Sequence, residues 1–353
     1  MDCIDDSKPL VPRGFNIDTI MRYASRTAYS PLASYFIVNA LSRRLNAVTA
    51  KDKISAAAAL WAATNVVVPG IRKIASRLFC GAKKPVHWAN EIVVVTGGSH
   101  GVGLELVKRL LKAGARVAIL DVNPFPIDDA QYNDQWRYYN CDITNLEMVK
   151  ATADQIRNDL GDATMLVNNA GIVIGKLLLD MTDAEVDKVI DVNLTSHFHL
   201  IRQFLPAMLR AKRGHIASIG SIVSFVGAPQ SSTYCTSKGG VKLLHESMLL
   251  EVASRYGTND VQFSIAYPGV INTGLFRGLN LGQFLMPTLR PDSIARALFA
   301  ALNSGTGQEI FLPGTANLLR LVNIFSPGMR SGILNMLGGL NGAMSTYSGH
   351  AKY

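Results

Sequence analysis

Thr96-Gly97-Gly98-Ser99-His100-Gly101-Val102-Gly103 is the stretch that most narrows what this chain can fold into. It follows a short apolar run, 91–96, and opens an amphipathic one, 101–113. Glycines let the main chain turn tightly and come close to a phosphate. A helix that starts there offers unpaired N–H groups and the positive end of its dipole. A glycine-rich turn alone is weak evidence, but one that joins a strand to a helix points to a dinucleotide pyrophosphate.

From Glu91 onward the same alternation continues. Apolar runs at 116–121, 136–140, 164–168, 215–220, 261–267 and 309–312 predict strands, and the patterns at 146–160, 183–209, 233–256 and 291–303 predict helices. The runs are nearly continuous in apolar residues, as strands covered on both faces require. The expected fold class is α/β, a doubly wound parallel sheet of Rossmann type, with an N-terminal helical extension. The expected division is a basic apolar extension at 1–90, a catalytic domain at 91–315 and an apolar tail at 316–353.

Charge supports that division. Of 353 residues only 17% are charged, and the net charge is +9. Residues 1–90 carry 13 Lys+Arg against 5 Asp+Glu, while 91–353 carry 22 against 21. The excess therefore sits in the extension, which suits an anionic membrane surface. It lacks a dense basic run and any nucleic-acid motif, so no nucleic-acid partner is expected. Two uncharged runs, 27–42 and 54–71, are bordered by Arg43-Arg44 and by Arg72-Lys73. Eighteen residues reach about 27 Å as a helix, just short of a hydrocarbon core. A membrane hairpin, a re-entrant segment, an interfacial anchor and a helix pair packed on the main domain all fit these runs. The stretch 331–351 has no charge, and it reads as a packed helix and tail, a second membrane contact or a lid.

Cys3, Cys80, Cys141 and Cys235 are far apart, with no Cys-x-x-Cys and no His/Cys cluster. Neither a disulfide framework nor a metal site is indicated, and reduced thiols fit a cytosol-facing protein.

Several residues carry chemistry in this frame. Asp121, 18 residues after Gly103, ends the second predicted strand. A carboxylate there can accept from ribose hydroxyls and repel a 2′-phosphate, and no Lys or Arg follows closely, which favours NAD over NADP. Asp142, beside Ile143, can bond the adenine amino group or cap the helix at 146, a role equally open to Thr144. Asn168-Asn169-Ala170-Gly171 ends the fourth strand, where amides can tie strands and small residues leave room for a cofactor. Tyr234 and Lys238 are four apart and share a helix face. A neighbouring ammonium favours the phenolate, which would make Tyr234 a usable acid/base. Ser221, 13 residues before Tyr234, is placed at the end of a strand where its hydroxyl can hold a carbonyl oxygen. Asn193 falls inside the predicted long helix 183–209, an indifferent place for Asn unless it organises something, such as a water chain near Lys238.

Together these motifs resemble the short-chain dehydrogenase/reductase superfamily over about residues 91–315. Thr96, Gly97, Ser99, His100, Gly101, Val102 and Gly103 match its cofactor turn, Asn169, Ala170 and Gly171 its fourth-strand motif, and Asn193, Ser221, Tyr234 and Lys238 its catalytic tetrad. Pro268, Gly269, Val270, Ile271 and Thr273 match the loop that closes over the nicotinamide. Gly220, where the family often has Ser, and His100 are small departures. The resemblance implies hydride transfer with NAD or NADP, Tyr234 exchanging the proton, Ser221 holding the oxygen, Lys238 tuning the phenol and binding the ribose, and Asn193 helping to relay the proton. It also implies a homo-oligomer, since family members commonly form dimers or tetramers.

The sequence is also similar to the membrane-associated retinol and 17β-hydroxysteroid dehydrogenases of the endoplasmic reticulum and lipid droplets. That similarity rests on the extension, Asp121 and the segment Met286-Pro287-Thr288-Leu289-Arg290-Pro291. It implies a lipophilic alcohol or carbonyl arriving from a membrane or lipid-droplet surface. Leu275, Phe276, Leu279, Leu281, Phe284, Leu285 and Met286 would then form an apolar flap over the cleft, or else simply pack to the core. Two other readings stay open: an NADP-dependent ketoreductase of a biosynthetic pathway, and a non-catalytic nucleotide-binding protein of a lipid surface.

Overall fold

The computed structural model describes residues 85–126, 135–272 and 287–336. The apolar runs 27–42 and 54–71, Thr273, the apolar flap and the tail beyond Met336 lie outside the described residues. Seven strands form one parallel sheet in the order β3-β2-β1-β4-β5-β6-β7. They are β1 (Ile92–Thr96), β2 (Arg116–Asp121), β3 (Trp136–Asn140), β4 (Met165–Asn168), β5 (Gly214–Ile219), β6 (Val261–Pro268) and β7 (Glu309–Leu312). The helices between them are α1 (Gly101–Lys112), α2 (Leu146–Asp159), α3 (Asp183–Ile190), α4 (Ser196–Arg210), α5 (Ser232–Arg255) and α6 (Pro291–Asn303), with α7 (Pro327–Met336) after the sheet.

The alternation within β1 shows why the sheet is covered twice. Val93 and Val95 pack with α1 and α6 residues such as Leu106, Leu110 and Leu298. Ile92 and Val94 face the other way, toward Ile156 of α2, Leu200 and Phe204 of α4 and Leu244 of α5. All five β1 residues are buried. Each fully buried Val or Leu stabilises by roughly 1.5–3 kcal/mol relative to exposure. A charge at Val94, 0% exposed, would meet an apolar wall with no partner. Across the first face, Arg109 pairs with Asp292 at 2.6 Å and ties α1 to α6.

Strand order reverses at β1: its neighbours are β2 on one side, through Val94↔Ala118, and β4 on the other, through Val94↔Leu166. This is the switch point where parallel sheets open a crevice at the carboxyl ends of their strands. The glycine turn leaves β1 there, and Asn169-Ala170-Gly171 leaves β4 beside it.

Two expectations change. The predicted helix 183–209 is broken into α3 and α4 by a π turn, Asp191–Thr195, which contains Asn193. Such turns mark places where a side chain interrupts the regular ladder. The cap of α2 is Asn145, whose side chain accepts from Glu147 N and Met148 N, and neither Asp142 nor Thr144. Asp142 instead accepts from Thr144 N and Oγ1 at 3.0 and 2.8 Å, a local turn that brings the chain into the cap.

Candidate active site

The cofactor half is built mainly from main chain. Gly97 and Gly101 hold φ of 64° and 54°, which only glycine adopts without strain. Gly103 is needed for a different reason. A Cβ there would lie 2.1 Å from Gly97 O and 2.6 Å from Asn169 Nδ2, so α1 could not approach the turn. Thr96 ties the two crevice walls: its Oγ1 accepts from Asn169 N and Ala170 N at 3.0 and 3.1 Å. Asn169 Nδ2 returns bonds to Thr96 O and Gly97 O at 2.9 and 3.0 Å. The start of α1 has no side-chain cap and no acid in its first turn. Val102 in that turn is buried among the core residues.

Asp121 is 8% exposed. Its Oδ2 accepts from Ser99 N at 2.9 Å and its Oδ1 from Asn123 N at 3.0 Å. The carboxylate thus braces the glycine turn and stands at the tip of β2. Asp142 is exposed, with Ile143 buried beside it. Beyond β6, Pro268 leads into a loop pinned by Gly269 N to Leu312 O at 2.7 Å and by Leu289 N to Val270 O at 2.8 Å. Ile271 bridges Leu289 in parallel.

The half expected to handle the proton depends on buried side chains. Tyr234 and Lys238 lie one turn apart on α5, 6% and 3% exposed. Lys238 Nζ sits 5.9 Å from the Tyr234 ring centroid and donates to Ile219 O at 2.8 Å. A Cβ on Gly171 would lie 3.4 Å from that ammonium and 3.2 Å from Asn193 Oδ1, so the three residues meet at one point. Asn193 is fully buried; its Oδ1 accepts from Ile172 N and its Nδ2 donates to Ile172 O, both at 2.8 Å. Nδ2 also donates to Ser237 Oγ at 3.1 Å, and Ser237 Oγ donates to Tyr234 O at 2.8 Å. The π turn therefore presents one amide that holds both the β4 loop and α5. Both Nδ2 hydrogens are committed to these partners.

Ser221 is not in β5, which stops at Ile219; it caps a 3-10 turn, Ile222–Ser224. Its Oγ accepts from Val223 N at 3.4 Å and lies 3.5 Å from Pro268 O. Gly220 next to it is required because a Cβ would come 2.9 Å from the Tyr267 ring, which accounts for the departure from Ser there.

Burial raises the Tyr234 phenol above its ordinary range, the hydrogen bond from Ser221 lowers it by less, and Cys235 adds to the rise. Burial acts on the Lys238 ammonium in the opposite direction, pushing it down to about 8. Within the protein alone, both groups lean toward their neutral forms. Burial, then Lys238, lowers His197 to about 3.

Two residues escaped the sequence reading. Ser224 Oγ accepts from Ser221 N at 3.2 Å and donates to Lys238 O at 2.8 Å, tying the serine turn to α5. Ser237 links Asn193 to Tyr234. Ser224 stands three residues after Ser221, the spacing of a capping box, which is the one signal that could have revealed it. Ser237 left none, since its partner is 44 residues away.

Comparison with known proteins agrees with this geometry. The family model described as short chain dehydrogenase matches residues 91–283. The mouse protein named epidermal retinol dehydrogenase 2 is 33% identical over 221 residues, covering 61% of this chain and 71% of its own. Human 17-beta-hydroxysteroid dehydrogenase 13 is 29% identical over 254 residues, covering 70% and 83%. The chain is a short-chain dehydrogenase/reductase. Within that family it falls in the retinol and hydroxysteroid dehydrogenase group. The fold agrees as well: ligand-free aldohexose dehydrogenase of Thermoplasma acidophilum superposes with a TM-score of 0.56 at 25% identity, covering 69% of this chain and 98% of that one.

As a short-chain dehydrogenase/reductase the protein is an NAD(P)-dependent oxidoreductase that interconverts alcohols and carbonyls. Its residues fit that cofactor. The close approach of α1 to the turn that Gly103 permits, the uncapped start of α1 and the small residues Ala170 and Gly171 suit a pyrophosphate. Among the described residues, no group of His, Cys, Asp and Glu could hold a metal ion, and no helix is long and apolar enough to cross a membrane.

Proposed function

We propose that this protein oxidises or reduces a lipophilic alcohol or carbonyl of retinoid, steroid or fatty-alcohol type, with Tyr234 as the proton donor and acceptor. The convergence of Tyr234, Lys238, Asn193 and Gly171 beside the glycine turn carries the reading. A bound dinucleotide would supply or take the hydride. Residues 96–103, Asp121, Asp142, Ile143, 169–171 and 268–271 would hold it, along with Thr273.

Each residue has a distinct task in this scheme. Ser221, already bonded to the phenol, would hold the substrate oxygen and stabilise charge that gathers there. Tyr234, protonated at neutral pH, would give its proton to a carbonyl oxygen as hydride arrives, and take it back in oxidation. Lys238 would favour the phenolate when it forms, since an ammonium one helix turn away stabilises the anion. Asn193 would keep Ile172 and Ser237 in place so that Tyr234 and Lys238 keep their geometry. Asp121 would favour NAD through the ribose hydroxyls, because a 2′-phosphate would meet its negative charge.

The names of its relatives support the substrate class, and the basic, apolar first 90 residues support delivery from a membrane or lipid-droplet surface. We keep 91–315 as the catalytic domain and 1–90 as its anchor. Purified, detergent-solubilised protein should turn over at least one retinoid, steroid or fatty alcohol with NAD(H), and Tyr234→Phe should not. Equal turnover by the variant would sink the mechanism. Full release of the protein by carbonate extraction of membranes would rule out an integral anchor.

A further inference from the structure

The chain does not end its structural role at β7. After Leu312 a 3-10 segment, Gly314–Ile324, runs back toward the serine turn. Asn323 Nδ2 donates to Phe225 O at 3.0 Å. Phe225 ends the 3-10 turn that Ser221 begins. Arg320, from the same segment, lies over two rings at once: its guanidinium carbon is 5.2 Å from the Phe225 centroid and 4.5 Å from that of Phe311. It also pairs with Glu309 at the start of β7.

These rings belong to a small cluster behind the site. Phe225 meets the edge of Tyr267 with centroids 4.8 Å apart, and Tyr267 meets Phe311 at 4.8 Å. Tyr267 directly precedes Pro268, at the start of the expected nicotinamide loop. Lys242, one turn beyond Lys238 on α5, covers Phe225 from 5.6 Å. The cluster thus joins the serine turn, α5, the end of β6 and β7. Among the described residues, Arg320 and Asn323 are two polar contacts that tie the C-terminal segment to it.

We propose that the C-terminal segment clamps the serine turn through Arg320 and Asn323, making both positioning residues for Ser221. The proposal rests on the reading of Ser221 as the group that holds the substrate oxygen. The start of the turn is held by its capping box, Ser221 N to Ser224 Oγ at 3.2 Å and Val223 N to Ser221 Oγ at 3.4 Å, with Ser224 N to Ser221 O at 2.9 Å, while its end has only Phe225 N to Ile222 O at 3.3 Å within the turn. Ser224 fixes its start to α5, while the clamp fixes its end. A cation over two aromatic faces is a directional contact that an apolar replacement does not reproduce. Plain packing of a tail needs neither the guanidinium nor the amide.

The test has two readouts. In the full-length protein, Asn323→Ala should lower kcat about 5- to 20-fold, since small misplacements of a reacting group are costly. NADH affinity by fluorescence should stay unchanged. Arg320→Ala should do the same and Arg320→Lys should recover much of the loss, because lysine keeps a cation over the rings. Amide hydrogen exchange of the Ser224 and Phe225 peptide should quicken in Asn323→Ala and in Arg320→Ala. Exchange is read on the protein itself, so it decides the clamp whatever substrate is used. Unchanged exchange in both variants overturns the clamp. Faster exchange with unchanged kcat overturns the positioning role. A wild-type protein that turns over no alcohol with either cofactor would overturn the proposed function while the exchange data still judged the clamp.

Discussion

The two edges of the same sheet differ in how they treat polar groups. At the amino edge, a cavity of about 290 Å3 is lined by His87, Glu91, Arg213, His215, Asp260 and others. There two pairs of polar groups are matched to each other. Glu91 pairs with Arg213, and His215 Nε2 lies 2.8 Å from Ser264 Oγ. At the carboxyl edge, Tyr234 and Lys238 are both buried and both displaced from their ordinary pKa values by burial. Ionisable groups buried beside a nucleotide crevice and displaced from their ordinary pKa values point to chemistry; a hollow whose charges are paired points to structure.

The largest effect should therefore come from the carboxyl edge. Removing the hydroxyl in Tyr234→Phe should cut kcat by about 10²- to 10⁴-fold, the range for losing a positioned acid/base. The melting temperature should barely move. Arg213→Ala at the amino edge should do the reverse. It leaves Glu91, 3% exposed, without its cation. Arg213 is 44% exposed, so solvent softens the loss to about 1–3 kcal/mol. Turnover per folded molecule should stay near wild type. A large fall in turnover for Arg213→Ala would break the comparison.

Lys238→Met sharpens it further. A buried ammonium destabilises the fold at neutral pH, so the variant should lose activity yet melt a few degrees higher, as stability–activity trade-offs predict. The pH dependence follows from linkage. The folded-state value, about 8, lies below the unfolded value of 10.5. Between them the unfolded chain binds more protons, so wild-type stability rises with pH across that window. Tyr234 opposes this above its own unfolded value of 10.0, because its folded value is raised. Cys141 and Cys235, both raised by burial from 9.0, also oppose the rise from about pH 9, so it should show between about pH 8 and 9 in chemical denaturation, and Lys238→Met should flatten it. A flat wild-type profile would mean that Lys238 keeps its charge unpenalised.

What could be read from the residues depended on distance along the chain. The strand–helix alternation, the glycine turn and the Tyr234–Lys238 pair are local patterns, and the sheet followed from them. The π turn at Asn193 was not legible, because its cause is Ile172, 21 residues back, and Ser237, 44 ahead. Spacing showed the ammonium beside Tyr234 but not the burial that raises the phenol, which depends on the whole fold. The Arg320 clamp lay in what composition marked as a tail.

The smallest effect tests the cofactor half, where one residue does two jobs. Asp121 braces the glycine turn through Ser99 N and Asn123 N, and it sets the charge facing the ribose. Asp121→Asn would confuse the two, because its amide nitrogen would face one of those N–H donors. Asp121→Ser removes the charge and keeps an acceptor. The lost brace should raise KM for NADH several-fold, and the lost repulsion should lower KM for NADPH. The preference should then shift about 10-fold toward NADPH, which corresponds to about 1.4 kcal/mol. If both KM values rise together, Asp121 is only a brace and the choice of cofactor lies elsewhere in the crevice. If NADPH alone gains, the charge decides, and the turn tolerates losing one of its bonds.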